Sequence, residues 1–379
     1  MQFRDLKKQY QVLKEKMDSA VLQVMENSNF ISGKQVAELE EQLAEYVGVK
    51  YCITCANGTD ALTLALMAWK IGEGDAVFVP DFTFFASAET VAYEGATPIF
   101  VDVEQSSFNM SPESLEQAIK AVLAEGKLTP KAVVTVDLFG QPADYESIRK
   151  IADRYGLLIL EDAAQGFGGR INNKEACSFG DIATTSFFPA KPLGCYGDGG
   201  AIFTNNDEWA ELIRSFRIHG KGADKYDNVR IGMNSRLDTM QAAILQVKLE
   251  AFREYELEAV NQVAERYTAA LSDIVATPAV KDGFYSSWAQ YTILLDSVEE
   301  RNGLQAALKE KGIPSMVYYP KAMHEQGAFR NMPCTVIDLS VTTELCKRVL
   351  ALPMHPYLEE EEQQLVVDTV KEYFVKKDR

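Results

Sequence analysis

The chain predicts an α/β fold, a mostly parallel central sheet sandwiched by helices, with a smaller C-terminal α+β domain packed on it. Three observations predict it. Short apolar runs alternate with amphipathic stretches over the first two-thirds of the 379 residues. The runs are apolar nearly throughout, as strands buried on both faces must be. From about residue 240 the alternation gives way to a long helical pattern and isolated strand-like segments. Residues 1–250, with an N-terminal helical arm, are read as the larger domain and residues 251–379 as the smaller.

The strands come in order as "YCITCA", "AVFVP", "TPIFVDV", "KAVVTVDLF", "LLILEDAA", "IATTSFF" and "GAIFTNN", each short and rich in β-branched or aromatic residues. Between them "DALTLALMAWK", "FASAETVAYEG", "SPESLEQAIKAVLAEG" and "DYESIRKIADRYG" read as helices. Ser111 opens the third as a cap, with Pro112 just inside, where its missing N–H costs nothing. "MQAAILQVKLEAFREYELEAVNQVAERYTAAL" predicts a long helix from residue 240. A strand "SWAQYTILLD", a helix "NGLQAALKEKG", a second strand "PSMVYYP" and the acidic helix "LEEEEQQLVVDTVKEYFVKK" follow. Ligands of such sheets bind beyond the carboxyl ends of the strands, so functional residues are expected just after these runs.

A net charge of −17 argues against non-specific binding to nucleic acid or anionic lipid. A phosphate ligand would have to be held locally, by backbone amides or a few placed cations. No apolar run approaches the roughly 20 residues of a membrane span. The opening "MQFRDLKKQYQVLKEK" lacks a signal-peptide core, which predicts a cytoplasmic protein. Six scattered cysteines do not suggest a disulfide framework. Cys52 and Cys55 form a CxxC without a second pair, and the three histidines are too dispersed for zinc, so no metal site is expected.

Three strand ends supply chemistry. After "YCITC", Asn57 and Gly58 make a turn and a helix begins near Thr59, offering free N–H groups and a positive dipole end to a phosphate. Any capped strand–turn–helix looks the same, so this stretch alone does not decide. After "LLIL" come Glu161 and Asp162; Glu161 reads as an acidic residue favouring a helix N-terminus, whereas Asp162 can face a cationic ligand nitrogen. After "IATTSFF" stands Lys191, between Pro189 and Pro192 and ahead of four glycines in "GCYGDGG". So stiff a frame is wasted on a lysine serving solubility. Lysine attacks carbonyls when burial or a neighbouring charge frees its amine. A phosphate cradle, a buried aspartate and a framed lysine together match the needs of pyridoxal phosphate.

"NGTDAL", "PDFTFFAS", "EDAAQ", "SFFPAKPLGCYGDGGA" and "IGMNSRLDTMQAAIL" occur in register over nearly the whole chain. Together they resemble the DegT/DnrJ/EryC1/StrS nucleotide-sugar aminotransferases, of pyridoxal-phosphate fold type I. The resemblance implies that Lys191 carries the cofactor as a Schiff base and shuttles a proton, while Asp162 pairs with the ring nitrogen. It implies that Gln165 sits near the ring's phenolic oxygen and that Phe84 stacks on the ring. Gly58, Thr59, Asp60 (through its N–H) and Ser186 would hold the phosphate, joined by Asn234 from a neighbouring subunit, hence a homodimer with shared sites. Apart from the resemblance, Phe84 could be core, Gln165 a helix-end cap and Asn234 a turn residue.

The setting of Lys191 resembles most the branch aminating C3 of UDP-2-acetamido-2-deoxy-3-oxo-glucuronate, with L-glutamate as donor. Where that branch is expected to carry His-Tyr-Pro, this chain has Tyr318-Tyr319-Pro320. Arg236, Tyr318, Tyr319, Phe30 and His324 are the substrate-binding candidates, with pairing to Asp238 the alternative for Arg236. Amination of a neutral keto-sugar remains open, as does a non-catalytic regulator on the same fold. A pyridoxamine-dependent dehydratase is disfavoured, because those relatives replace the lysine.

Overall fold

The seven apolar runs lie side by side in one sheet. In the computed structural model, which describes residues 1–224, 226–332 and 337–377, they are β1 (Tyr51–Cys55), β2 (Asp75–Pro80), β3 (Thr97–Val101), β4 (Thr129–Val136), β5 (Leu158–Asp162), β8 (Ile182–Ser186) and β9 (Gly200–Thr204). Two short strands, β6 (Arg170–Ile171) and β7 (Lys174–Glu175), form a hairpin between β5 and β8. The sheet order is β1-β9-β8-β5-β4-β2-β3. From β8 to β3 all neighbours are parallel; only β9 runs against both of its neighbours.

Helices cover both faces. On one lie α3 (Gly58–Ala68), α4 (Ala86–Tyr93) and α7 (Asp207–Phe216), whose apolar residues join a cluster containing Ile53, Val79, Val134 and Leu160. On the other, α5 (Pro112–Glu125) and α6 (Tyr145–Tyr155) bury Leu115, Ile119 and Ile148 against Phe78, Ile99 and Val133. The arm is two helices, α1 (Leu6–Asn27) and α2 (Lys34–Val47), which pack with α8 (Thr239–Ala251) over Cys52, Ala183 and Phe203. Successive residues of one strand therefore serve opposite cores, which is why the runs are apolar throughout. Ser111 caps α5 as expected, accepting from the Ser114 N–H at 3.3 Å, with Pro112 as the first helical residue.

The long helix is real but not uniform. α8 passes through a π-helical turn, Phe252–Glu256, into α9 (Leu257–Leu271). Beyond it the strands β10 (Phe284–Tyr285), β11 (Tyr291–Leu294) and β12 (Val349–Leu352) and the helices α10 (Val298–Glu310), α11 (Ser340–Arg348) and α12 (Glu360–Lys377) complete the chain. A second core gathers Tyr267, Tyr291, Leu304, Leu350 and Val366, with Met1 packed against it.

"PSMVYYP" is not a strand. Its backbone makes one isolated bridge, Met316 to Ala351, on the edge of the β11–β12 pair. Three prolines and glycines flank or end the run, and a proline cannot donate to a ladder. The strand that does pair with β11 is β12, with Tyr291 opposite Leu352. Cys52 and Cys55 are buried free thiols, and burial pushes both thiols up. Among the described residues no group of His, Cys, Asp or Glu could hold a metal ion, and no helix is long and apolar enough to cross a membrane.

Candidate active site

A cavity of about 720 Å³ opens at the carboxyl ends of the parallel strands, lined by residues that follow β1, β2, β5 and β8. Its floor is the N-terminus of α3. The Asn57 side chain caps this helix by accepting from the Asp60 N–H at 2.8 Å. The helix begins beside Thr59, as expected, but the Asp60 amide, expected to meet the phosphate, is already given to Asn57. The Gly58 and Thr59 amides are the ones left for a ligand. Asp60 lines the cavity all the same.

Gly58 is required by close approach. A Cβ there would stand 2.7 Å from the Ser186 Cβ. Gly200 is as constrained, since its Cβ would meet the Asn57 carbonyl oxygen at 2.4 Å. β1, β8 and β9 are thereby drawn together so that Ser186 borders the α3 N-terminus. The Ser186 hydroxyl oxygen accepts from the Phe188 N–H at 3.2 Å, which leaves its own proton to donate.

Asp162, the last residue of β5, is 5% exposed. Its Oδ2 accepts from the Ser87 hydroxyl at 2.8 Å and its Oδ1 from the Ala164 N–H at 3.2 Å. Ser87 Oγ also lies 3.1 Å from Thr83 Oγ; with its own proton given to Asp162, it accepts from Thr83. Burial pushes the Asp162 carboxyl up, against the pull of Ser87, Ala164 and the charge of Lys191. Burial lowers Lys191, with Asp162 opposing and Arg4 adding to the lowering. A buried carboxylate and a half-buried amine thus face one cavity, each moderating the other.

The loop holding Lys191 is folded back on itself. Phe187 donates to the Gly199 carbonyl and Cys195 to the Phe187 carbonyl, each at 2.7 Å, and Lys191 donates to Phe188 at 2.9 Å. A Cβ on Gly194 would stand 2.5 Å from the Phe188 carbonyl oxygen and 2.7 Å from that of Pro189. This answers the purpose of the proline–glycine frame: it closes a tight loop that presents one amine.

Gln165 is 4% exposed; its Oε1 accepts from the Phe139 N–H at 2.8 Å and its Nε2 donates to the Tyr319 hydroxyl at 3.0 Å. Phe84 is 54% exposed, so it is not core; its ring lies 6.3 Å from that of Tyr319 on the cavity wall. Tyr318 and Tyr319 both line the cavity, and burial raises both phenols.

Other expectations fall elsewhere. Glu161 points to the opposite side and accepts from the amides of Cys177, Phe179 at 2.6 Å and Gly180 at 2.9 Å. It anchors the 176–181 loop rather than a helix N-terminus, and burial pushes it up to about 7. His324 is not among the cavity residues: its Nδ1 lies 2.6 Å from Oδ2 of the fully buried Asp81. Asn234, Arg236 and Phe30 do not line this chain's cavity. Asn234 and Phe30 are both exposed; Asn234 bridges Ile218, and the Phe30 carbonyl accepts from the Thr239 N–H at 3.0 Å. No ion pair joins Arg236 to Asp238 among the described residues. Ser87 and Arg4 were not singled out by the sequence; Ser87 had only its place in "PDFTFFAS" as a signal, and Arg4 had none.

A framed lysine opposite a buried aspartate, above a helix N-terminus in a mostly parallel sheet, defines the aminotransferase class of fold type I. The chain belongs to the DegT/DnrJ/EryC1/StrS aminotransferase family, which it matches over residues 11–371. The aminotransferases of that family depend on pyridoxal phosphate. Over 362 residues the chain is 45% identical to the UDP-2-acetamido-2-deoxy-3-oxo-D-glucuronate aminotransferase of Pseudomonas aeruginosa, covering 95% of this chain and 96% of that protein. It is 43% identical to a pleiotropic regulatory protein of Geobacillus stearothermophilus, over 98% of this chain and 97% of that one. The crystal structure of a family aminotransferase from Brucella abortus superimposes with a TM-score of 0.96 at 49% identity, covering 99% of both chains.

Proposed function

We propose that this chain moves the amino group of L-glutamate to the C3 keto group of UDP-2-acetamido-2-deoxy-3-oxo-glucuronate. It does so in the cytoplasm, with pyridoxal phosphate, as a homodimer with shared sites, for surface polysaccharide biosynthesis. The observation that carries the reading is Lys191 and Asp162 facing one cavity above the α3 N-terminus. The likeness to the Pseudomonas enzyme supports the sugar.

The residues fit the cofactor. The crowding at Gly58 leaves a cradle that a single methyl would fill, and Ser186 with two unspent amides supplies the donors a phosphate needs. When bound, the group supplies an aldehyde to the amine and a protonated ring that withdraws electrons from the carbon bearing nitrogen. Asp162 balances the ring-nitrogen charge, held in place by Ser87. Phe84 would stack on the ring and Gln165 would orient its oxygen side. Lys191 Nζ, whose basicity burial lowers, would take the proton from that carbon and return it on the neighbouring one. Asn234 reaches the phosphate of the other subunit, and its exposure here leaves it available. Tyr318, Tyr319 and Phe30 border the sugar, and Arg236 meets its carboxylate with a bidentate fork. In this reading residues 1–250 bind the cofactor and residues 251–379 form the smaller domain.

The test is to prepare the amine form of the holoenzyme and offer UDP- and dTDP-linked keto-sugars, with and without a C6 carboxylate. Recovery of the lysine-bound form with the 3-oxo-glucuronate alone supports the assignment. Recovery with neutral 3- or 4-keto sugars instead moves it to those substrates. No recovery with any sugar, and no bleaching by glutamate, makes the protein a regulator.

A further inference from the structure

Residues 1–5 lie on the smaller part of the chain. The Phe3 carbonyl accepts from the Met354 N–H at 3.2 Å, and the Phe3 ring meets that of Tyr318 edge-on at 6.2 Å. The terminal amine lies 3.6 Å from Glu362, and Lys8 lies 3.3 Å from Glu359. From this seat Arg4 reaches across to the Lys191 loop. One guanidinium nitrogen donates to the Lys191 carbonyl at 2.7 Å and to the Pro192 carbonyl at 3.2 Å. Beneath it lie Glu256, which ends the π-helical turn and is 3% exposed, and Lys248, 2% exposed. Glu256 accepts from Gln9 at 2.8 Å and from Tyr357 at 2.5 Å, and its charge offsets that of Arg4.

We infer that Arg4 is a positioning residue for the reaction, tying the N-terminal segment to the backbone of Lys191 and thereby setting where the reactive amine is presented. The inference rests on the reading of Lys191 as the reactive amine. Arg4 holds the residue itself, whereas the hydrogen bonds of Phe187 and Cys195 close the loop around it. Its positive charge disfavours a second cation on Lys191. The other charged or titratable groups around the amine are Asp162 at the end of β5, Asp60 on α3, Asp198 on the same loop, and Tyr318 and Tyr319. Because the same segment carries Phe3 against Tyr318, the seat of the sugar-side tyrosine and the pose of the lysine are mechanically joined.

The test compares wild type with Arg4→Met, Arg4→Lys and Lys8→Ala. In the apoprotein, labelling of Lys191 by an amine-reactive reagent is followed against pH by peptide mass spectrometry. Arg4→Met should move the labelling midpoint upward by about 0.5 pH units or more. In the holoenzyme it should slow the half-reaction with glutamate roughly 10-fold through lost orientation, at unchanged cofactor content. Arg4→Lys keeps the charge but cannot hold both carbonyls in the same way, so its midpoint stays near wild type while the half-reaction slows. That variant decides the matter if Arg4→Met does not fold. Lys8→Ala, which removes an exposed cation of the same arm but keeps Arg4 and its carbonyl contacts, should match wild type. Wild-type behaviour of the Arg4 variants in both readouts overturns the inference, as does an equal shift in Lys8→Ala. Borohydride trapping separates the two failures: a cofactor label on another lysine of the wild type sinks the functional reading, whereas a label on Lys191 with unmoved midpoints sinks only the role of Arg4.

Discussion

The Ser87 hydroxyl donates to Asp162 Oδ2 across 2.8 Å, from the first turn of α4 to the last residue of β5. The bond aims a carboxylate that burial would otherwise bias toward its neutral form. Asp162→Asn should keep the cofactor bound yet slow the glutamate half-reaction by about 10²-fold, ~3 kcal/mol, because an amide cannot balance the ring-nitrogen charge. Ser87→Ala should cost roughly 10-fold, the loss of one hydrogen bond to a charged group. Rapid-mixing absorbance of the half-reaction measures both; rates within threefold of wild type would reduce Asp162 to a strand-end residue.

Lys191→Ala should still bind the cofactor but lose turnover by ~10³-fold or more, since one amine both carries the cofactor and moves the proton. Borohydride reduction of the holoenzyme followed by peptide mapping checks the attachment. A label on Lys174 or Lys221 would refute it.

Gly58→Ala places a methyl against Ser186, so it should weaken pyridoxal phosphate by about 10-fold or more while leaving binding of unphosphorylated pyridoxal unchanged. Equilibrium titration of the apoprotein with both ligands reads the ratio. Equal weakening of the two would mean that the cradle does not hold phosphate.

Lys191→Ala and Asn234→Ala chains, each inactive, should regain part of the activity when mixed and exchanged, because one hybrid site keeps both residues. Verified exchange without rescue argues that Asn234 serves only its own chain.

His355 is 1% exposed, and burial lowers it to about 4. The folded chain therefore binds fewer protons here than the unfolded one. The stability that follows is complete above the unfolded value near 6.5 and drains away as pH falls toward 4, by up to ~3 kcal/mol at 1.36 kcal/mol per unit. Urea midpoints of wild type should fall over that window, and those of His355→Leu should fall less. Parallel slopes would assign the acid sensitivity to the carboxylates.

Local sequence by itself determined the sheet and the core of the site. Strands buried on both faces must be apolar throughout, so β1 to β5, β8 and β9 were readable as runs, and strand ends pointed to Gly58, Asp162 and Lys191, whereas Ser186 came only from the family resemblance. The proline–glycine frame was likewise local, because backbone stiffness and close approach are written in residue type. Only the tertiary structure decided what depends on partners distant in the chain. It gave the Asp60 amide to Asn57, put Glu161 under the 176–181 loop, and sent His324 to Asp81. It left "PSMVYYP" with a single bridge to Ala351, on the edge of β12 away from β11. Arg4 stands 187 residues from the carbonyl it holds, and Ser87 stands 75 from its carboxylate. Hydrogen bonds of such span arise from how two surfaces close, and no periodicity in the chain encodes them.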